Sequence, residues 1–134
     1  MNMKLRDRIL APRPRRREPI DLPELADVLG GERLYVWEMK GTERDEYEAG
    51  LVTFSPDGKR RETNLANVRA KIACKCLVTE AGERVFTDAD AEAVGELGAA
   101  ALDRIYEAAA RLSGMRRGDE EEAKNASLPT PASA

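Results

Sequence analysis

The sequence predicts an α+β domain, mostly α, in which a small N-terminal β-hairpin packs on three to four helices, with disordered N- and C-terminal ends. Three observations carry this. In 89–112, Val94, Leu97, Ala101, Ile105, Ala108 and Leu112 step by three or four residues and share one helical face. In 32–39, ERLYVWEM, residues alternate instead, with Leu34, Val36 and Glu38 on one side and Tyr35, Trp37 and Met39 on the other. Past Gly114 periodicity ends in a charged, then Ala/Ser/Pro-rich stretch. The boundaries that follow are a basic arm, 1–17, a single globular domain, 18–114, and a tail, 115–134.

Composition limits the core. Apolar residues make up 42% of the 134-residue chain but aromatics only 4%, so Leu, Val, Ile and Ala must fill it. Charge is unevenly placed. The arm carries seven cationic residues against Asp7, a balance of +6, on an acidic remainder in a chain of net charge −3. Such an arm can bind nucleic acid, dock on an acidic partner surface, or fold back on its own body. No stretch of about 18 apolar residues is present, so no membrane span is expected. With no apolar leader at the N-terminus, the expected setting is a reducing cytoplasm.

Taken in order, residues 3–11 can form a short helix carrying Met3, Ile9 and Leu10, stopped by Pro12 and Pro14. The run through Arg13, Arg15, Arg16 and Arg17 should be extended and exposed. Pro19 and Pro23 confine 18–23 to a sheet edge, and Gly30-Gly31 turns the chain after a short helical piece over 25–29. Trp37, the only tryptophan, is expected to anchor the helix packed on its strand. Residues 41–52 read as a helix with Thr42 as N-cap, Asp45 three residues on, and Tyr47 and Leu51 on one face. A polar loop, FSPDGKRRET, then turns at Pro-Asp-Gly.

Residues 64–78 read as a second strong helix capped by Asn64, with Leu65, Val68, Ile72, Cys76 and Leu77 as its stripe. Cys74 and Cys76 fall on different sides of that helix and are expected as small buried hydrophobes. Residues 79–88 form a connector that turns at Ala81-Gly82 and returns Val85 and Phe86 to the core. Thr87 or Asp88 caps a short helix to about Val94, the chain breaks at Gly95–Gly98, and the main helix runs to Leu112 before a Ser113-Gly114 stop.

The residues needed for most chemistries are missing. Without histidine there is no imidazole base or His-activated nucleophile, and no glycine-rich phosphate loop appears. Two cysteines without histidine do not make a zinc site. Carboxylate pairs such as Asp88 with Asp90, or Glu43 with Asp45, stand at helix starts, where capping accounts for them. No catalytic residue, metal or cofactor is expected, and the chain reads as a binding or assembly protein. A partner is expected to meet the main helix through Leu102, Ile105, Tyr106, Ala109 and Leu112. The alternative is a small nucleic-acid-binding regulator using Arg13, Arg15, Arg16 and Arg17. Against it, no aromatic interleaves with these arginines and no reader fold is in sight.

Six segments in a fixed order add a family resemblance: LRDRIL (5–10), YVWEM (35–39), KGTERDEYEAGL (40–51), TNLANVRAKI (63–72), GERVFTDAD (82–90) and GAAALDRIYEAAARLSGM (98–115). The series resembles the tail assembly chaperones of long-tailed phages (siphoviruses) and prophages, over roughly residues 4–125. The resemblance implies a non-catalytic protein that binds the tape-measure protein, keeps it soluble and assists polymerisation of the tail-tube protein around it. It implies further a place in the bacterial host cytoplasm and not in the mature virion. Separately from the resemblance, self-association is a further expected contact, and no membrane partner is expected. The pattern departs at the C-terminal end, where a third helix usually follows the stop and RRGDEEEAKN is a weak candidate. Such proteins are often made in two lengths by a ribosomal frameshift. Ala123-Lys124-Asn125 can be encoded as GCA AAA AAC, which contains a slip-prone run.

Overall fold

The computed structural model describes residues 3–115, and the expected tail from 116 onward lies outside them. The domain is α+β and mostly helical. In chain order it contains α1 (Leu5–Leu10), β1 (Arg17–Ile20), a 3₁₀ turn (Pro23–Leu25) running into α2 (Ala26–Leu29), β2 (Leu34–Trp37) and α3 (Gly41–Ala49). Then follow β3 (Val52–Phe54), β4 (Arg61–Thr63), α4 (Val68–Cys76), β5 (Leu77–Thr79), a second 3₁₀ turn (Asp88–Asp90) with α5 (Ala91–Val94), and α6 (Ala99–Leu112).

Strands β1, β2 and β5 form one antiparallel sheet in that order, with Glu18 opposite Val36, Ile20 opposite Leu34, and Val36 opposite Leu77. Because side chains alternate, Leu34 and Val36 go to the core face and are buried. Helix α6 packs across that face, against β1 and β2, and most extensively against α4. Val36, Ile72 and Ile105 have no exposure and belong to one cluster with Leu22, Leu77 and Ala109. β1 is an edge strand. The Glu38 N–H donates to the Arg16 carbonyl, so the alternation of an antiparallel ladder turns Pro19 away from β2, where its missing N–H is not needed.

The main helix ends as its sequence specifies. Gly114 takes a left-handed φ of +72°, the Met115 N–H donates to the Ala110 carbonyl and the Gly114 N–H to the Arg111 carbonyl, which is a Schellman stop. The Ser113 hydroxyl accepts from the Met39 N–H at 3.0 Å and ties this stop to the end of β2. Thr87 caps the 88–94 helical region, with its N–H donating to Asp90 at 2.8 Å. Gly95, in helical geometry at the end of that region, lies close against Asn67, and a Cβ there would run into the side chain of that residue.

Several expectations are corrected. The expected helix over 64–78 starts only at Val68 and stops at Cys76; Leu77 and Val78 pair with β2 as a third strand. Asn64 accepts from the Ala66 N–H in the turn before it and does not cap the helix. The expected 41–52 helix ends at Ala49. Its cap is Lys40, not Thr42, and the residue reaching back to the cap's N–H is Glu43, at 2.7 Å, not Asp45. The FSPDGKRRET segment is not simply a loop, since β3 and β4 pair across the Pro-Asp-Gly turn with Gly58 at φ +72°. Trp37 sits on the sheet face away from Leu34 and Val36; it is half-buried against the core, and its indole N–H ties it to the end of α4 rather than to α6. Val85 is exposed, and only Phe86 of that pair packs on the core.

Shortening Ile105 to Ala should cost about 2–5 kcal/mol by urea denaturation, because that site is sealed on all sides. Val28→Ala, on an exposed side chain, should change stability by less than about 0.5 kcal/mol.

Candidate functional site: the arm, the outer sheet face and the rim of the main helix

Two aromatic side chains on the outer sheet face, Tyr35 and Trp37, would leave large apolar surface in water. The basic arm covers both. The Arg15 guanidinium lies 3.8 Å from the centroid of the Trp37 ring and pairs with Glu43 of α3 at 3.0 Å. It also donates to the Glu38 carbonyl at 3.4 Å. Glu43 thus serves both the start of α3 and the arm. The indole N–H of Trp37 donates to the Lys75 carbonyl at 2.9 Å, which satisfies its only donor. Arg17 lies over Tyr35 at 4.3 Å and donates to the Glu80 carbonyl at 2.7 Å. Arg16 stays near Glu38, and Arg13 is exposed with a long contact to the Ile9 carbonyl. Of the three uses open to the arm, folding back on the body is therefore the one that Arg15 and Arg17 adopt. Arg15 was expected to be exposed; its side chain keeps only 16% exposure, because it is held over Trp37.

The residues expected to meet a partner on α6 are not all accessible. Leu102, Ile105 and Ala109 are buried in the chain's own core, while Tyr106 and Leu112 are half-buried at its margin. A partner cannot touch the first three without opening the domain. What remains at the surface is a rim where α4 and α6 meet. There Arg69 lies 6.0 Å from the Tyr106 ring and pairs with Asp103, and Val68 beside it is half-buried.

One charged cluster has no signal in the sequence. Lys75 faces inward in α4 with 7% exposure, between Cys74 and Cys76, and its ammonium reaches Glu46 of α3 at 3.1 Å and Asp88 at 3.3 Å. Arg84 pairs with Asp88 at 2.7 Å and donates to the Cys74 carbonyl at 2.8 Å. Partial burial pushes the Asp88 carboxyl up, but the hydrogen bonds from Arg84 and Lys75 outweigh it and hold the group below the usual carboxylate range. The cluster joins α3, α4 and the second 3₁₀ turn around a lysine whose stem is buried and whose ammonium is paired by carboxylates at the surface. Both cysteines are buried. Burial pushes the Cys74 thiol up to about 11 and Cys76 up to about 12, with the carboxylates of Asp90 and Asp88 near the first and Glu43 near the second adding to it.

At the far end of the sheet lies an open depression of about 510 Å³, lined by Glu32, Arg33, Thr79, Glu80 and Glu83. Among the described residues no group of three or more acidic or cysteine side chains is placed to hold a metal ion, and no helix is long and apolar enough to cross a membrane. No protein-family model matches the chain, no curated protein matches its sequence, and no solved structure matches its fold.

Replacing Arg15 with Gln should cost about 1–2 kcal/mol and raise iodide quenching of Trp37 fluorescence, since the ring loses its cover. The thiols set a second expectation. Their folded pKa values lie above the ordinary value of 9.0, so the unfolded chain ionises first as pH rises. Stability should therefore be constant below about pH 8.5 on this account and fall progressively above it, toward pH 11–12, as read by thermal unfolding at stepped pH. Cys74→Ala/Cys76→Ala should flatten that decline.

Proposed function

We propose that this protein is a tail assembly chaperone that binds the tape-measure protein of a long-tailed phage or prophage and assists tail-tube polymerisation without catalysis. The order and spacing of the six segments from LRDRIL to GAAALDRIYEAAARLSGM carry this reading. Elementary chemistry is compatible with it. A tape-measure protein is a long apolar helix in need of cover, and a small domain with a charged surface can hold such a helix against an accessible aromatic rim. Tyr106 at the α4–α6 rim supplies a large, stiff contact, and Arg69 with Asp103 supplies a polar border. Because Leu102, Ile105 and Ala109 are core residues, the client is held at this rim and not along the full apolar stripe of α6. The engagement of Arg15 and Arg17 with the sheet leaves fewer arginines for phosphate contacts and weighs against a nucleic-acid-binding regulator.

Co-expression with the tape-measure product tests the reading. The expected result is a soluble, co-purifying client that aggregates when the chain is omitted, with retention reduced at least ~10-fold by Tyr106→Ala with Arg69→Ala in a protein of unchanged circular dichroism. A client that stays insoluble beside the wild-type chain rejects the chaperone reading. Full retention by the double variant moves the contact away from this rim.

A further inference from the structure

Helix α1 stands off the body. None of its residues is buried, and Met3, Leu5, Ile9 and Leu10 are 55%, 62%, 55% and 64% exposed. Leu5 and Ile9 are four apart and share a face. Around them Lys4, Arg8 and Arg13 are exposed and in no ion pair among the described residues. A short helix that is apolar and cationic, with no cover from the other described residues, calls for a surface that is apolar and anionic.

The same chain presents such a surface. Between β1 and β2, Val28 is 72% exposed, the most exposed large apolar side chain of the described residues. Asp21, Asp27 and Glu32 flank it in sequence, all exposed and in no ion pair among the described residues. Only Glu24 of this segment is occupied, by Arg104. The two patches match in both chemistry and sign, and they lie at opposite ends of β1. Arg15 and Arg17 pin the chain between them onto Trp37 and Tyr35, which leaves only residues 11–14 as a free tether, about 13 Å fully extended. Two copies meet the requirement without disturbing that clasp. With their β1 strands side by side and antiparallel about a two-fold axis, each α1 comes to the acidic segment of the other. Pro19 removes a donor from the β1 edge, so side chains and not a continuous ladder hold such a pair.

We propose that the protein forms a reciprocal dimer in which α1 of each copy docks on the Asp21–Glu32 segment around Val28 of its partner. The contact is small and charge-rich, so it is concentration-dependent and weakened by salt.

Sedimentation velocity on the full chain tests it, across a concentration series in low salt and at about 0.5 M salt. The expected result is a monomer–dimer equilibrium in low salt that shifts to monomer at high salt. Arg8→Glu with Arg13→Glu should weaken dimerisation at least ~10-fold, and so should Asp21→Arg with Asp27→Arg, since each sets like charges together. All four sites are exposed, so both variants are expected to keep the wild-type circular dichroism. Mixing the two variants should restore association to within about 3-fold of wild type, because each arm then meets a surface of opposite sign. A wild-type chain that stays monomeric in low salt at the highest concentration overturns the proposal. So does a pair of variants that fails to recover on mixing, which would assign the arm to a different anionic surface.

Discussion

Burial of one side of α6 is the constraint from which the other arrangements follow. Ile105 at the middle of the helix is sealed with Ile72 of α4 and Val36 of β2 in a core that contains few aromatics. Small residues make this possible. Ala101, Ala108 and Ala109 on α6 and Ala70 and Ala73 on α4 are buried, so the two helix backbones can approach closely. With that face turned inward, the sheet's other face is left to be covered by something else. The arm does this through Arg15 and Arg17, which cover Trp37 and Tyr35 with guanidinium groups in place of another apolar layer.

The same geometry explains why charge penetrates the domain. A thin core leaves α3, α4 and the 88–90 turn close together without enough apolar side chains to fill the space between them. Lys75 fills it with its aliphatic stem and brings its ammonium to Glu46 and Asp88 at the surface. Glu43 has a comparable double role, closing the first turn of α3 and holding Arg15. Charged side chains here act as connectors between elements, which suits a chain with 35% charged residues and one tryptophan.

Much of this was legible in the residues. The strong helical period of 99–112, the Ser113-Gly114 stop, the Thr87 cap and the alternation of Leu34–Trp37 are local signals, and each corresponds to an element of the structure. The strand Leu77–Thr79 was not legible. Ala73 to Val78 is one apolar run with no Gly or Pro at the change from helix to strand, and pairing with β2 decides where the helix ends. The hairpin of β3 and β4 is short and polar, so only its turn shows in the sequence. Alternation alone gives two faces without saying which is inward. Trp37 stands opposite Leu34 and Val36 as the alternation indicates, but its guanidinium cover comes from 22 residues upstream and leaves no periodic trace. Among the expected partner residues, Tyr106 and Leu112 remain at a margin and Leu102, Ile105 and Ala109 do not, since a wide apolar stripe does not reveal how much of itself the core will take.

Helix α6 is a structural helix whose apolar face belongs to the chain's own core. Native-state hydrogen exchange of the full chain in increasing denaturant tests this most directly. Amides of α6 around Ile105 and of α4 around Ile72 should be the slowest in the domain and exchange only with global unfolding. Exchange of the α6 amides through a local opening well below the global unfolding free energy, while α4 and β2 stay protected, would contradict it and make α6 a detachable, partner-binding element.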